Sequence, residues 1–230
     1  MGYTVDKQEA LRYLGYSGQR VEGDLVLRFE TIVQAVEQTL RPAFIFEVFD
    51  LDAASLDEAG NFCITLCGTN LVFSGTDIYE HLCQAQQCAL VAATLGAESE
   101  RELRHYDVGS FDALAYGAAC SALVEQVTDE AEAQVVRFAA ERNLFTGTRY
   151  SPGYGNFSLE IHPKFLACLG AVERLGLRAT DDNFLTPAKS VTAVIGLFDQ
   201  PQIPRKSSCD SCAAKESCAI RAAGKTCYRA

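Results

Sequence analysis

Strand-like and helix-like apolar patterns occupy separate blocks of this chain and do not alternate strictly. The stretch AFIFEVFDL, residues 43–51, alternates like a strand, and NFCITLCGTNLVFSG, residues 61–75, predicts one or two more strands. Helical spacing dominates from residue 76 to about residue 142, and LRAT, NFLTPAKS and VTAVIGLF then predict further strands joined by polar turns. Strict alternation would indicate a doubly wound parallel sheet, so this order favours an α+β fold with an antiparallel sheet flanked by helices.

The predicted helices follow from apolar spacing and from residues that begin or end helices. They are Asp6 to Leu14, Leu25 to Leu40 before Pro42, Thr76 to Gly96 with Thr76 as the cap, Phe111 to Val127, Glu130 to Glu141, and one within SLEIHPKFLACLGAVERLG, residues 158–176. Pro163 is compatible with the last helix only in its first turn, where its missing N–H has no partner to lose.

Charge and hydropathy exclude several functional classes. The formal net charge is -10, whereas a nucleic-acid interface needs clustered Lys and Arg, so we expect no nucleic-acid partner. No apolar run approaches the length of a membrane span, and the first residues lack the basic and apolar blocks of a signal peptide. The expected location is therefore the cytoplasm, with no membrane partner.

One loop, RYSPGYGNFSLE at residues 149–160, is too interrupted by Pro and Gly to be a helix or a central strand. Pro152 restricts its backbone, and Gly153 lets the chain approach a ligand closely. Tyr154 can lie against a planar group, and Arg149 is a fork-shaped donor suited to a carboxylate. A turn of this composition is also ordinary between two elements, so the loop alone does not establish a binding site.

Together with LTPAKSVTAVIG, residues 185–196, this loop resembles the reactivation (activation) domain of cobalamin-dependent methionine synthase, in its short stand-alone form. The resemblance runs from roughly residue 77 to residue 197, and EALRYLGY near the N-terminus is also similar to the opening of the stand-alone form. It implies one C-shaped α+β domain with a twisted antiparallel sheet over residues 1–200. Within it, residues 1–75 form an N-terminal helix and strand part, and residues 76–200 form the core with the ligand loop.

The resemblance also implies the ligand and the chemistry. In that family the loop binds S-adenosylmethionine, with Arg149 toward the methionine carboxylate and the backbone of Ser151 and Gly153 toward polar edges of the ligand. Tyr154 is implied as the catalytic residue, beside the sulfonium and the corrinoid face. The implied reaction is a repair: a flavodoxin- or ferredoxin-like donor reduces inactive cob(II)alamin on a partner methionine synthase module, and the sulfonium methyl traps the resulting cob(I)alamin.

Two features depart from the family pattern. In that family an acidic residue from the helix before the loop holds the ligand's amino group. The corresponding stretch here, LAYGAACSALVEQV at residues 114–127, has Glu125 as its single acidic residue, and the sequence does not fix its register relative to the family's. The family's late tyrosine has no counterpart after GLFDQ, residues 196–200.

The three histidines are the remaining candidates for catalysis. His81, His105 and His162 lie in separate predicted helices or helix starts, so we expect them to be structural or surface residues.

Four of the ten cysteines crowd the end of the chain, after a linker, within residues 201–230. Cys209, Cys212, Cys218 and Cys227 have the spacing C-x2-C-x5-C-x8-C in a polar segment with little to bury. Four thiolates can hold either zinc or an iron-sulfur cluster, and the spacing does not distinguish them, although the reductive chemistry favours the cluster. A disordered tail of free thiols is the alternative.

Three functions therefore follow from the sequence. The first is a methyltransferase-type activation component that presents the methyl of S-adenosylmethionine to a partner's cobalamin. The second is a reductive activator of corrinoid proteins that passes electrons through a C-terminal iron-sulfur cluster. The third is a non-catalytic regulatory module that keeps the fold without the reaction.

Overall fold

The computed structural model describes residues 2–16, 23–57 and 60–202, together with Glu216 and Arg221. Its helices are α1 (Lys7–Tyr13), α2 (Gly23–Thr39), α3 (Thr76–Leu82), α4 (Glu98–Leu103), α5 (Phe111–Ala140), α6 (His162–Leu169) and α7 (Ala171–Leu175), with a 3-10 turn at Leu159–Ile161. Its strands are β1 (Ala43–Asp52), β2 (Cys63–Leu66), β3 (Val72–Ser74), β4 (Gln87–Thr94), β5 (Phe145–Thr146), β6 (Arg178–Ala179), β7 (Leu185–Thr186) and β8 (Ser190–Phe198).

The strands form one six-stranded antiparallel sheet in the order β3-β2-β1-β4-β8-β5 and a separate two-stranded pair, β6-β7. The longest ladders lie at the centre, where β4 pairs with β1 from Ala43↔Thr94 to Asp50↔Gln87 and with β8 from Gln87↔Leu197 to Thr94↔Ser190. An antiparallel sheet flanked by helices confirms the predicted α+β fold class.

Strand β4 shows how the sheet is covered on both faces. Ala89 and Val91 pack in a cluster with buried residues of α5, whereas Cys88 and Leu90 pack in a second cluster with α3 and α6. Successive side chains of a strand point to opposite faces, so these two clusters define three layers, with the sheet in the middle. A third cluster joins α1 and α2 to α5.

The predicted helix from Thr76 to Gly96 is wrong in its second half. Helix α3 ends at Leu82, and Gln87–Thr94 form β4, one of the two central strands of the sheet. The stretch QCALVAAT is almost entirely buried, so it lacks the alternation that marks a half-exposed strand, and its alanines suggested a helix. Thr76 is the first helical residue and not the cap; the cap position is Gly75.

The predicted break between two helices at residues 128–129 is also wrong, because α5 is one continuous helix of 30 residues. Thr128 lies inside it, buried, and its hydroxyl donates to the carbonyl of Val124 at 2.7 Å. That bond satisfies the polar side chain within the helix, so Thr128 does not end it.

The remaining helix predictions hold with small changes at the ends. Asp6 caps α1, and its side chain accepts from the N–H groups of Gln8 and Glu9. Pro163 lies in the first turn of α6 as expected, and Gly170 separates α6 from α7, which the sequence suggested as one helix. Within residues 2–16, 23–57 and 60–202, no helix has both the length and the apolar character needed to cross a bilayer.

Candidate functional site

A cavity of about 730 Å³ opens where the 149–160 loop meets α5, the start of α6, the β6-β7 pair and the first residues of β8. The loop contributes Arg149, Ser151 and Tyr154 to its wall, and α5 contributes Glu125. Three of the four predicted ligand-binding residues therefore share one cavity. Gly153, the fourth, belongs to the same loop but is not among the residues that line the cavity.

Backbone pairing attaches the loop to the sheet. Tyr150 forms an isolated bridge with Val194 of β8, with N–O distances of 3.0 and 2.9 Å. Further along, the N–H of Gly153 donates to the carbonyl of Phe157 at 2.7 Å. The Phe157 ring is buried and meets Phe73 edge-on at 5.2 Å, so the loop is anchored in the core.

The far side of the loop is held by a reciprocal contact with α3. The N–H of Asn156 donates to Asp77 Oδ2, and the N–H of Asp77 donates to Asn156 Oδ1, each at 3.0 Å. Asn156 Nδ2 also donates to Thr76 Oγ1 at 2.6 Å. Gly155 lies beside this contact with φ +52, and a Cβ there would overlap Asp77 Oδ2. A residue without a side chain is therefore required at position 155.

Arg149 faces three carboxylates of α5. Its Nη2 lies 2.8 Å from Asp129 Oδ1 and 3.8 Å from Glu125 Oε2, and its Nε lies 3.1 Å from Glu132 Oε2. Glu125, Asp129 and Glu132 are spaced i, i+4 and i+7, so one face of the helix presents all of them. The carboxylates outnumber the guanidinium, so the cluster as a whole is negatively charged, and its members Arg149 and Glu125 line the cavity.

One atom of Arg149 is not used by these pairs. Its Nη1 is buried and has no hydrogen-bond partner among the described residues. A buried guanidinium N–H without an acceptor is unfavourable, so this position suits an acceptor supplied by a ligand. Burial raises the pKa of Glu132, although the positive charge of Arg149 acts to lower it. Glu125 lies farther from the guanidinium, at 3.8 Å, and is held less tightly by it.

Tyr154 presents its ring to solvent at the cavity, with 67% of the residue exposed. Its backbone is fixed within the loop, because its N–H donates to the carbonyl of Ser151 at 3.2 Å and its own carbonyl accepts from the Tyr150 hydroxyl at 3.2 Å. The N–H of Gly153 is likewise engaged by Phe157. The ligand roles of Arg149, Ser151, Gly153 and Tyr154 stay predictions.

Several residues of the site were missed from the sequence. Asp129 and Glu132 were hidden by the false helix break, since their common face with Glu125 exists only on a continuous helix. Tyr13 of α1 belongs to the same region. Burial is the main cause that raises the pKa of Tyr13, the negative charge of Glu125 is the next, and Tyr154 also contributes. Nothing in the sequence marked Tyr13 as part of this region.

His162 also lines the cavity, although both of its ring nitrogens are bonded inside the protein. Nδ1 donates to the carbonyl of Asn183 at 2.7 Å, and Nε2 accepts from the Thr192 hydroxyl at 2.9 Å. Burial lowers the pKa of His162, so the neutral ring is favoured. This confirms a structural histidine, as expected from the sequence.

The predicted metal ligands Cys209, Cys212, Cys218 and Cys227 lie outside the described residues, so the metal-binding tail and its boundary stay predictions. Among the residues that the structure does describe, no group of three or more His, Cys, Asp or Glu side chains is placed to hold a metal ion.

The fold and its cavity define a class: an α+β domain in which a loop anchored to an antiparallel sheet lines a cavity at the sheet's end. The chain has the methionine synthase activation-domain fold. It superimposes on the crystal structure of the MetH reactivation domain bound to AdoHcy (S-adenosylhomocysteine) with a TM-score of 0.64 and 14% sequence identity, covering 96% of this chain and 82% of that chain. No family model matches the chain. No curated protein matches it either.

Proposed function

We propose that this protein binds S-adenosylmethionine in the cavity beside the 149–160 loop and presents its methyl group to reduced cobalamin carried by a methionine synthase module or a related corrinoid methyltransferase. The fold supports the proposal, because the structure of that fold described above contains AdoHcy, the product left when S-adenosylmethionine gives up its methyl. The cavity in this chain lies beside the loop on which the resemblance rests.

The observation that carries the proposal is the free Nη1 of Arg149. A ligand carboxylate is the acceptor that a guanidinium binds most strongly. Here it would supply a partner for Nη1, the buried Arg149 atom that has none among the described residues. Glu125, 3.8 Å from Nη2, is the carboxylate best placed to turn toward the ligand's ammonium. The excess of negative charge also complements the sulfonium.

Tyr154 is the proposed partner of the sulfonium. Its exposed ring can lie against a cation on one side while remaining accessible to a flat macrocycle from a partner protein. In the proposed reaction the S–CH3 bond breaks as the reduced cobalt attacks the methyl carbon, and AdoHcy leaves with the electron pair on sulfur. The chain itself supplies position and orientation, which fits a site without a nucleophile-base pair.

A reduced cobalamin requires an electron, and we infer a flavodoxin- or ferredoxin-like donor as the second partner. We place the protein in the cytoplasm, because Cys63, Cys67, Cys83, Cys88, Cys120 and Cys168 are all free thiols and a reducing compartment keeps them so.

The experiment is methyl transfer from methyl-labelled S-adenosylmethionine to a cobalamin-bearing partner under a low-potential chemical reductant. Labelled methylcobalamin should form only when this protein is present, and Tyr154→Ala should slow the transfer. Phe145→Ala is the matched control, since Phe145 is also exposed but does not line the cavity. Transfer that proceeds equally without the protein, or no transfer with any corrinoid partner encoded nearby, would contradict the proposal.

A regulatory module without catalysis is the second candidate, and one observation favours it. Arg149 already has carboxylate partners inside the protein, so its charge is neutralised before any ligand arrives. If that pairing is the whole role of Arg149, the protein will bind its corrinoid partner without forming labelled methylcobalamin, and Tyr154→Ala will leave cellular methionine synthesis unchanged.

A further inference from the structure

Phe184 is an aromatic residue that lines the cavity without being buried by the protein. It lies in the turn between β6 and β7, and 61% of the residue is exposed. Singly exposed apolar residues are common on protein surfaces and need no explanation by themselves. Phe184 differs from such residues because it forms part of the cavity wall and because hydrogen bonds fix the backbone of the turn that carries it.

Hydrogen bonds hold the turn that carries Phe184. Within it, the N–H of Thr180 donates to the carbonyl of Phe184 at 2.8 Å, and the N–H of Phe184 donates to Thr180 Oγ1 at 3.1 Å. Asn183 adopts a left-handed conformation with φ +63, and its carbonyl accepts from His162 Nδ1. His162 in turn is bonded to Thr192 of β8, so the turn is tied to the central sheet.

The wall of the cavity has a charged part and a largely apolar part. Arg149 and Glu125 supply its charged part, and the proposed function assigns the amino-acid end of the ligand to them. Much of the remaining wall is apolar, formed by Pro152, Leu159, Leu185 and Val191 together with Phe184. The nucleoside end of the ligand therefore has to lie against this part, and Phe184 is its one largely exposed ring within the described residues.

We propose that Phe184 stacks on the adenine ring of the bound ligand and is a determinant of nucleoside specificity. The inference rests on the proposed function, in which Tyr154 is assigned to the sulfonium. Tyr150 also lines the cavity, but its ring already stacks against His81 and Phe157, which leaves Phe184 as the exposed ring for the base among the described lining residues. Because hydrogen bonds fix the backbone of the turn that carries Phe184, little backbone freedom is lost on binding. Stacking between an aromatic side chain and a base then stabilises the complex substantially.

The test is calorimetric titration of two probes, AdoHcy and 5′-methylthioadenosine, which share the nucleoside and differ in the amino-acid end. Phe184→Ala should weaken both by a similar factor of about tenfold, and Phe184→Tyr should restore both. Arg149→Ala should weaken only AdoHcy. Phe62→Ala is the matched control, because Phe62 is 59% exposed and stacks on Tyr79 away from the cavity.

The outcomes separate the two proposals. If the wild type binds AdoHcy and Phe184→Ala binds both probes as well as Phe62→Ala does, stacking on adenine is wrong while the proposed function stands. Loss of AdoHcy binding alone in Phe184→Ala would place the ring elsewhere on the ligand, which also overturns it. A variant that binds both probes normally but transfers methyl slowly would assign Phe184 to the corrinoid partner instead. A wild type that binds neither probe, with or without the corrinoid partner, contradicts both proposals.

Discussion

Replacing Gly155 by alanine tests whether the loop is held as described. Gly155 has φ +52, and a Cβ there would overlap Asp77 Oδ2 and lie 2.7 Å from the Tyr150 hydroxyl. The new methyl group must displace the Asp77 carboxylate, which then loses its bond to the N–H of Asn156. The contact that fixes the far side of the loop is therefore broken.

The cost has two parts. Alanine in a left-handed conformation is unfavourable by about 1 to 2 kcal/mol, and a lost hydrogen bond at an exposed position adds about 0.5 to 1 kcal/mol. Gly155→Ala should therefore lower the free energy of unfolding by about 1.5 to 3 kcal/mol. Gly176→Ala is the matched control: Gly176 has φ +65, and a Cβ there would meet nothing within 4 Å.

Urea denaturation of the two variants and the wild type measures both parts, because the difference between the variants isolates the contact with Asp77. AdoHcy titration should show weaker binding for Gly155→Ala and unchanged binding for Gly176→Ala. Equal losses of stability in the two variants, with unchanged ligand binding in both, would refute the role assigned to the Asp77–Asn156 contact.

Three further predictions follow from other parts of the chain. Burial lowers the pKa of folded His162 below its value in the unfolded chain, so stability should fall as pH drops below about 6.5. The His162→Gln variant, followed by urea denaturation across pH, should lose that part of the fall; an unchanged pH profile would contradict the buried neutral ring. Burial raises the pKa of Cys120 to about 11. Alkylation at pH 8, mapped by mass spectrometry, should therefore modify the exposed Cys67 and spare Cys120 until the protein unfolds. Rapid labelling of Cys120 in the folded protein would contradict this. The alternative of a reductive activator predicts that anaerobically purified protein contains iron and acid-labile sulfide, lost when Cys209, Cys212, Cys218 and Cys227 are replaced by serine. Zinc in a colourless protein would contradict that alternative.

Local signals in the sequence were sufficient for the loop and for most strands. Pro152 and the glycines around Tyr154 determine the backbone within a few residues, so the loop was identified without knowledge of the sheet. Strand β8 was likewise identified from its apolar run and the polar turn before it. The antiparallel fold class followed from the order of these elements.

Features that depend on distant contacts were not predictable in the same way. Strand β4 is buried on both faces by α5 and α6, and a short apolar run of that kind cannot be distinguished from a helix by periodicity. Glu125 was identified from the sequence, but Asp129 and Glu132 could be placed beside Arg149 only when α5 was known to be continuous. The place of Phe184 in the cavity wall depends on the hydrogen bonds of His162, which join residues far apart in the chain.

The most direct test of the central claim is calorimetric titration of S-adenosylmethionine into the wild type, Arg149→Ala and Arg174→Ala. Arg174 is the matched control, because it pairs with Glu47 at 2.7 Å and does not line the cavity. We expect binding by the wild type and by Arg174→Ala, and a loss of about 10- to 100-fold in Arg149→Ala, the effect of one charge-assisted hydrogen bond. Equal binding by all three proteins, or no binding by the wild type even with its corrinoid partner present, would contradict the assignment of the methyl donor to this cavity.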